Sequence, residues 1–245
     1  MILPLAWVVE VWRWAVMKRD NKVAVVALRA LPMFRPLTEE RLAALAKVAT
    51  LRSVPRHGVV VSAGDQIDCI YLILTGGLKV LMGDQEGREV ILSMLGPGDF
   101  FGEMGVIDDH PRSATVRATD ESSLVVIPQA AFQRCMAENA EVALYVMRDL
   151  VKRLRVADRK IESLSLLDVY GRVARVLLDL AEDRGGRKVV ARRITRQDIS
   201  QMVGASREMV SRVMRDLQLR GLIDEKDDLI WLTDGIDPGA GASHT

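Results

Sequence analysis

A glycine-rich segment in the first half of the chain combines groups that bind a phosphate and a sugar. Residues 96–118 have the sequence GPGDFFGEMGVIDDHPRSATVRA. Gly102 and Glu103 lie at a turn whose backbone N–H groups suit an anion. Arg112 and Ser113 follow ten residues later and offer a guanidinium fork and a hydroxyl for a phosphate, while Glu103 can accept from a sugar hydroxyl. The segment therefore predicts that Gly102, Glu103, Arg112 and Ser113 hold a small cyclic nucleotide.

Other interpretations of this segment fit less well. Its glycines give the spacing GxGxxxG with no surrounding βαβ unit, so they do not form a dinucleotide-binding fingerprint. Glu103, His110 and Arg112 could act as catalytic groups, but no nucleophile–base pair or metal-ligand spacing accompanies them. We therefore expect a binding protein and not an enzyme; a surface loop with an unconnected arginine is the structural alternative.

A second motif lies in residues 194–223, ITRQDISQMVGASREMVSRVMRDLQLRGLI. Thr195 can cap a short helix, and Asp198 three residues later can close a capping box. Gly204 can supply the left-handed turn that ends this helix, and Ser206 can cap a second one. Two short helices joined by a glycine-containing turn predict a helix-turn-helix.

In a helix-turn-helix, the start of the second helix faces base edges in the major groove. Arg207 and Arg212 could donate to guanine O6 and N7, and Glu208 could accept from cytosine N4. The first helix opens with residues placed for phosphate contacts. The predicted DNA-binding residues are Arg196, Gln197, Ser206, Arg207, Glu208, Ser211 and Arg212.

The charge distribution favours DNA binding over a merely solvated helix face. The whole chain has a formal net charge of +1, but residues 184–226 contain 11 Lys and Arg against 5 Asp and Glu, a local excess of +6. The near-neutral chain therefore carries a basic C-terminal region, and its expected partner is double-stranded DNA.

The elements that must position these motifs have distinct patterns. Residues 51–128 contain short β-rich runs separated by glycines, such as VVVSAG, CIYLILTG and SLVVIP, which predict an antiparallel roll or sandwich. Residues 39–49, after the capping residue Thr38, and residues 169–182 have amphipathic helical patterns. Residues 222–232 predict two short strands around a polar turn.

Residues 130–166 form a long predicted helix with a regular apolar seam. Nine apolar positions alternate in spacing between four and three residues: Met136, Ala140, Ala143, Met147, Leu150, Leu154, Ala157, Ile161 and Leu164. A heptad seam of this length needs a partner helix, so it predicts a homodimer through a coiled coil. The alternative is a helix packed on its own domain, which usually shows a wider and less regular stripe.

The composition and the termini set further limits. The 245 residues suffice for two small domains. Cys69 and Cys135 form no CxxC motif, which excludes a disulfide framework, argues against a zinc or iron–sulfur site, and favours the reducing cytoplasm.

The first 16 residues are apolar but interrupted by Glu10 and Arg13. They are shorter than the about 20 residues that span a bilayer, and they lack secretory-signal features. We expect a start site placed too far upstream, with Met17 the true start; an interfacial anchor is the alternative.

The stretches FGEMG…RSATVRA, LLDVYGRVARVLLDLA and ITRQDISQMVGASREMVSR resemble the cyclic-AMP receptor/FNR superfamily of bacterial transcription regulators. The resemblance covers about residues 28–232. It implies an α+β fold with an N-terminal cyclic-nucleotide-binding β-roll of jelly-roll type, a long dimerisation helix and a C-terminal winged helix-turn-helix. The implied division is 1–27 as an N-terminal extension, 28–135 as the β-roll, 136–166 as the dimerisation helix, 167–236 as the winged helix-turn-helix and 237–245 as a flexible tail.

The resemblance also implies residue roles and partners. The cassette residues match the nucleotide-binding residues of the family, and Arg153, in KRLRV, matches an arginine near the purine. Arg207, Glu208 and Arg212 match the residues that read a TGTGA-type half-site, so the expected operator is palindromic. A homodimer and RNA polymerase are the further expected partners, and no membrane partner is expected.

Two departures from the family bear on the effector. Where cyclic-AMP-binding members present Thr-Ser to the adenine, this chain has Ala157 and Asp158. An ionised Asp only accepts hydrogen bonds, and guanine offers adjacent N1–H and N2–H₂ donors, so Asp158 favours guanine. Cyclic AMP is the first expectation because the cassette matches those members. Cyclic GMP or cyclic di-GMP is the alternative, and a β-roll that acts only as a scaffold is another.

The second departure concerns the other sensing chemistries of the superfamily. FNR-like members need several cysteines for an iron–sulfur cluster, and this chain has two. Haem-sensing members need an axial histidine in the roll, whereas His57 and His110 lie in turn-like, polar surroundings. We therefore expect no metal, haem or iron–sulfur cluster.

Overall fold

The computed structural model describes Val25 and residues 28–191, 194–226 and 229–239. The predictions for residues 1–16, and for the tail after residue 239, lie outside the described residues. The chain divides into two compact units, with the boundary between Val151 and Lys152. This boundary falls inside the predicted dimerisation helix and not at either of its ends, because Val142 and Val146 of that helix belong to the core of the first unit.

The first unit contains two four-stranded antiparallel sheets. Its strands are β1 (Thr50–Val54), β2 (Val59–Val61), β3 (Cys69–Thr75), β4 (Leu78–Gly83), β5 (Glu89–Leu95), β6 (Phe100–Phe101), β7 (Thr115–Ala118) and β8 (Ser122–Pro128). One sheet has the order β1-β8-β3-β6 and the other the order β2-β7-β4-β5. The predicted antiparallel roll is confirmed, while the short strands β1 and β6 were not among the predicted runs.

Strand β3 is central to this unit because it is buried on both faces. Ile70 and Leu72 belong to the core that also includes helical residues, whereas Tyr71 and Ile73 belong to the core between the two sheets. Successive side chains of a strand point to opposite faces. A strand between two cores therefore needs the continuous apolar run CIYLIL, and β3 fixes the sheet beneath the predicted cassette.

The helices of the first unit flank the sheets. They are α1 (Glu39–Val48), α2 (Glu103–Asp108) and α3 (Gln129–Glu138), followed by the long helix α4 (Ala140–Leu166), which continues into the second unit. Thr38 caps α1, as predicted, by accepting a hydrogen bond from the backbone of Arg41.

The long helix predicted over residues 130–166, whose seam starts at Met136, is interrupted. Met136 lies on α3, and α4 begins only at Ala140. Asn139 separates the two helices with an extended backbone, φ −139° and ψ 94°, and its side-chain amide donates to the carbonyl of Cys135 at 2.7 Å. The regular apolar spacing continues through this break. Such spacing predicts which face of a helix is apolar, but it does not predict whether the helical backbone is continuous.

The second unit, from Lys152, contains the rest of α4 and a helix-turn-helix with a small sheet. Its other elements are α5 (Val169–Leu180), β9 (Glu182–Arg184), β10 (Arg187–Val190), α6 (Arg196–Val203), α7 (Arg207–Leu219), β11 (Ile223–Lys226) and β12 (Leu229–Leu232). The sheet has the order β11-β12-β10-β9. The predicted strand pair in residues 222–232 is confirmed as β11 and β12, whereas β9 and β10 were not predicted. Among the described residues, no helix has the length and apolar character needed to cross a membrane.

Candidate functional site

The predicted nucleotide cassette begins at a tight turn between β6 and α2. Gly102 has φ 90° and ψ 3°, a left-handed conformation that glycine adopts without a Cβ clash. The next residue, Glu103, is the first of α2. A second glycine is needed close by, because a Cβ on Gly105 would lie 1.8 Å from Cδ1 of Ile67. Close packing therefore holds α2 against the loop that precedes β3.

Arg112 is held beneath this turn by backbone and side-chain hydrogen bonds. Its Nη2 donates to the carbonyl of Cys69 at 2.6 Å, and its Nη1 donates to the carbonyl of Gly102 at 3.2 Å. Its own backbone N–H donates to Asp65, and its carbonyl accepts from Gly64. Arg112 is only 7% exposed, so the guanidinium lies inside the first unit and links the turn to β3.

The described ion pair of Arg112 is with a largely exposed carboxylate. Oδ1 of Asp68 lies 3.6 Å from Nη2, and the Asp68 side chain is 82% exposed. Among the described residues, the buried Nε of Arg112 has no hydrogen-bond partner. The guanidinium also lies 5.6 Å from the centre of the Tyr71 ring. A buried cation is costly without an anion and full hydrogen bonding, so this arrangement suits an incoming anion.

The other two cassette residues differ in exposure. Glu103 is 2% exposed, and its carboxylate therefore lies inside the first unit. Ser113 is exposed, and its hydroxyl lies 4.0 Å from the sulfur of Met104. The structure therefore brings Gly102 and Arg112 into direct contact with each other. Glu103 follows Gly102 in the chain, and Ser113 lies at the surface.

Two residues of β3 that the sequence did not single out complete the surroundings of Arg112. Burial, reinforced by the hydrogen bond to Asp68, raises the pKa of the Cys69 thiol to about 11. Burial also raises the pKa of the Tyr71 hydroxyl to about 12. Both groups are therefore neutral at pH 7 and supply no counter-charge. Their apolar run predicted a core strand, and nothing in it pointed to a distant arginine.

The two residues expected near the purine lie on α4. Arg153 is half-buried, and Asp158 is exposed. They belong to the second unit, whereas the cassette residues belong to the first. Their role at the base therefore stays a prediction.

The helix-turn-helix has the predicted local geometry. Thr195 and Asp198 form a reciprocal capping box at the start of α6, and Gly204 ends that helix with φ 64°. The hydroxyl of Ser206 accepts from the backbone of Met209 at 3.2 Å and so caps α7. These hydrogen bonds confirm the predicted helix boundaries and give Ser206 a structural role at the start of α7.

The exposed face of α7 carries the residues predicted to read DNA. Arg207, Glu208, Ser211 and Arg212 line one open groove, and Arg215 lines it with them. The opposite face is buried in the core of the unit through Val210, Val213, Met214 and Leu217. Arg215 was not among the predicted DNA-binding residues. Its spacing of one helical turn after Ser211 could have identified it.

The residues that open α6 have different surroundings. Gln197 is exposed. The guanidinium of Arg196 pairs with the carboxylate of Glu225 on β11, and both side chains are about three-tenths exposed. Arg196 therefore ties α6 to the small sheet, and its predicted contact with a phosphate stays a prediction.

Comparisons with known protein families match both parts of the chain. A family model described as "Cyclic nucleotide-binding domain" matches residues 51–139. A second, described as "Crp-like helix-turn-helix domain", matches residues 171–235. The two models therefore cover the cassette and the capped helix pair.

Similar proteins include several bacterial regulators. The chain is 38% identical over 185 residues to the cAMP-activated global transcriptional regulator Vfr of Pseudomonas aeruginosa, covering 71% of this chain and 85% of Vfr. It is 33% identical over 196 residues to the cAMP-activated global transcriptional regulator CRP of Salmonella typhimurium, covering 77% of this chain and 92% of CRP. Among solved structures, the c-di-GMP responsive global regulator CLP of Xanthomonas campestris aligns with a TM-score of 0.65 and 29% identity, covering 79% of this chain and 96% of CLP. The chain therefore belongs to the Crp/Fnr family of DNA-binding transcription regulators.

Proposed function

We propose that this protein is a transcription regulator whose binding to a palindromic operator, as a homodimer, is controlled by a cyclic nucleotide. The observation that carries the proposal is Arg112, a buried cation whose Nε has no hydrogen-bond partner among the described residues. The carboxylate of Asp68, which pairs with it at 3.6 Å, is largely exposed. A cyclic phosphate would supply the missing charge and acceptors in one group.

The rest of the cassette suits a ribose phosphate. Gly102 leaves the turn without a side chain, so a phosphate could approach the backbone and Arg112 together. Glu103 can accept from a ribose hydroxyl, and Ser113 can donate to a phosphate oxygen from the surface. This set offers no described nucleophile–base pair, which is consistent with binding without turnover.

Cyclic AMP is the favoured effector because Vfr and CRP, two relatives that match most of this chain, are cAMP-activated regulators. A guanine cyclic nucleotide is the second candidate. Asp158 is exposed on α4 and can only accept hydrogen bonds, which suits the donor edge of guanine. The description of CLP as c-di-GMP responsive supports the same alternative.

The DNA-reading surface is the exposed face of α7. We assign direct base contacts to Arg207, Glu208 and Arg212 on a TGTGA-type half-site, with Ser211 and Arg215 alongside them. Gln197 and Arg196 are assigned to phosphates at the start of α6. Two such faces, related by the symmetry of a dimer, would read a palindromic operator.

The exposed side of α4 supports the dimer. Four seam residues on this helix are more than half exposed within the single chain: Met147 (52%), Leu154 (62%), Ile161 (64%) and Leu164 (55%). A row of large apolar side chains in water is unfavourable and is typical of an interface. A ligand that binds one arrangement of the dimer more tightly shifts the protein toward that arrangement. RNA polymerase is the further proposed partner of the DNA-bound dimer.

Calorimetric titration with cyclic AMP, cyclic GMP and cyclic di-GMP tests the nucleotide part of the proposal. Arg112→Ala should lower the affinity for any bound cyclic nucleotide by about 10- to 150-fold, because it removes charged hydrogen bonds to a buried phosphate. Arg117→Ala is the matched control, since Arg117 on β7 pairs with Glu89 on β5, outside the cassette. If wild type binds none of the three below millimolar concentration, the β-roll is a scaffold that needs no nucleotide. If Arg112→Ala binds as tightly as wild type, Arg112 does not hold the phosphate and the proposed site is wrong.

A further inference from the structure

The heptad register of α4 gives each residue beside the seam a defined position. With Leu154 at position a and Ala157 at position d, Arg153 is at position g and Asp158 is at position e of the next heptad. These two positions flank the seam on opposite sides. They are also the positions that form interhelical ion pairs in coiled coils.

In a parallel, in-register pair of helices, a residue at g lies beside the residue five positions further along the partner. Asp158 follows Arg153 by five residues. We propose that Arg153 of one protomer forms an ion pair with the partner subunit's Asp158, so that two such pairs enclose the middle of the dimer helix. This inference rests on the homodimer of the proposed function and not on nucleotide binding.

The same charges oppose the antiparallel arrangement. In antiparallel helices, g positions face g positions, so Arg153 would lie near another Arg153 or near Lys160, which also occupies a g position. Like charges at facing positions are destabilising. The ion pair therefore favours the parallel orientation, in which both DNA-binding units lie at the same end of the dimer helix.

The surroundings of both residues within one chain are compatible with the pair. Asp158 is exposed on α4, and Arg153 is half-buried. Arg153 already has an interaction within its own chain. A guanidinium has five N–H donors, so it can bind a second acceptor from the partner without losing the first.

The pair explains why this chain has Asp158 where cyclic-AMP-binding members of the family have serine. A carboxylate at position e has an arginine as its partner across the dimer, and a hydroxyl would not form an ion pair there. In this arrangement the carboxylate is hydrogen-bonded before any nucleotide arrives. The residue then contributes to dimer orientation, and the remaining lone pairs of its carboxylate can still accept from a base.

Co-expression of two full-length chains, one with Arg153→Glu and one with Asp158→Arg, tests the proposal. Each homodimer would place two pairs of like charges together, while the mixed dimer would restore two opposite-charge pairs. If each pair contributes as surface ion pairs usually do, the mixed dimer should rise from the statistical half to about nine-tenths of all dimers. Native mass spectrometry of chains with tags of different mass measures the three species.

The matched control combines Arg159→Glu with Glu162→Arg, which make the same charge changes at the outward positions f and b of α4. When these two control chains are co-expressed, the mixed dimer should make up the statistical half of all dimers. In addition, Arg153→Gln and Asp158→Asn should each raise the dissociation constant of the homodimer by about 2- to 30-fold. The dissociation constant of the double variant should not exceed that of either single variant. A statistical mixture from the charge-swapped chains, with wild type dimeric, would overturn the ion pair and leave the proposed function intact. A monomeric wild type would instead overturn the proposed dimer itself.

Discussion

The guanidinium of Arg112 fills the space beside Gly102 that a side chain on that residue would need. Its Nη1 donates to the Gly102 carbonyl at 3.2 Å, and it would lie 2.2 Å from a Cβ built on Gly102. The glycine and the arginine are therefore coupled by packing as well as by a hydrogen bond. A side chain on Gly102 would therefore have to displace the guanidinium of Arg112.

Gly102→Ala should displace Arg112 and lower cyclic-nucleotide affinity to about the level of Arg112→Ala. Gly98→Ala is a close control, because Gly98 also has φ 90° but a Cβ there would have nothing within 4 Å. Both substitutions should lower the free energy of unfolding by about 1–2 kcal/mol, because alanine is strained in a left-handed backbone conformation. Only Gly102→Ala should lower the affinity for the nucleotide. Calorimetry on both variants measures this, and equal affinities would contradict the coupling.

Leu154→Glu combined with Ile161→Glu should convert the dimer into a monomer, because a dimer would bury four carboxylates without partners. These positions are better probes than Leu150, which packs against the core of the first unit. Val156→Glu with Leu166→Glu is the control, since both residues are exposed and lie off the seam at positions c and f. Light scattering measures the mass of each variant. A Leu154→Glu, Ile161→Glu protein that stays dimeric would place the interface elsewhere.

Arg207→Ala should relax sequence preference by about 1–3 kcal/mol, the discrimination that a bidentate base contact provides. Arg220→Ala is the control, because Arg220 follows α7 and pairs with Asp216 at 2.8 Å, outside the groove. Binding to operator and to random DNA at one salt concentration measures the preference. If Arg207→Ala lowers the affinity for operator and for random DNA equally, Arg207 does not contact a base.

Glu225→Gln should strengthen binding to all DNA sequences, because it releases Arg196 from its ion pair and lets the guanidinium reach a phosphate. The slope of log affinity against log salt should steepen by about one. Glu182→Gln, an equal charge change on exposed β9, is the control. Arg196→Ala should have the opposite effect, with similar weakening on operator and random DNA. Identical slopes for the two glutamine variants would show that Arg196 does not contact phosphate.

The free energy of unfolding should fall as pH rises from about 9 to about 11. Burial raises the pKa of Cys69 from 9.0 to about 11, so in this range the unfolded thiol has lost its proton while the folded thiol keeps it. Stability then decreases with pH because the folded state binds more protons. Cys69→Ser should remove up to about 3 kcal/mol of this decrease, leaving the parts that arise from other groups with a raised pKa, Cys135 and Tyr71 among them. Urea unfolding at pH 8, 9, 10 and 11 measures it, and an unchanged pH profile would contradict the buried thiol.

Local hydrogen bonds explain why the helix-turn-helix was predictable in detail. Thr195, Asp198 and Ser206 each cap through partners three residues away, and Gly204 adopts its left-handed turn by itself. Such signals lie within a few residues of sequence. The β-roll was predictable as a class for a similar reason, because alternation and glycine turns recur along the chain.

The sequence by itself determined the family, the capped helix pair and the apolar seam, since each depends on residue types at short and regular spacings. It did not determine that Asn139 interrupts the seam, because an extended residue can join two helices without altering the apolar pattern. Only the tertiary structure decided the surroundings of Arg112. Its acceptor at Cys69 lies 43 residues away on β3, and that contact exists because the strand is buried between two cores. Contacts across such distances depend on how the sheets pack, which no local pattern encodes.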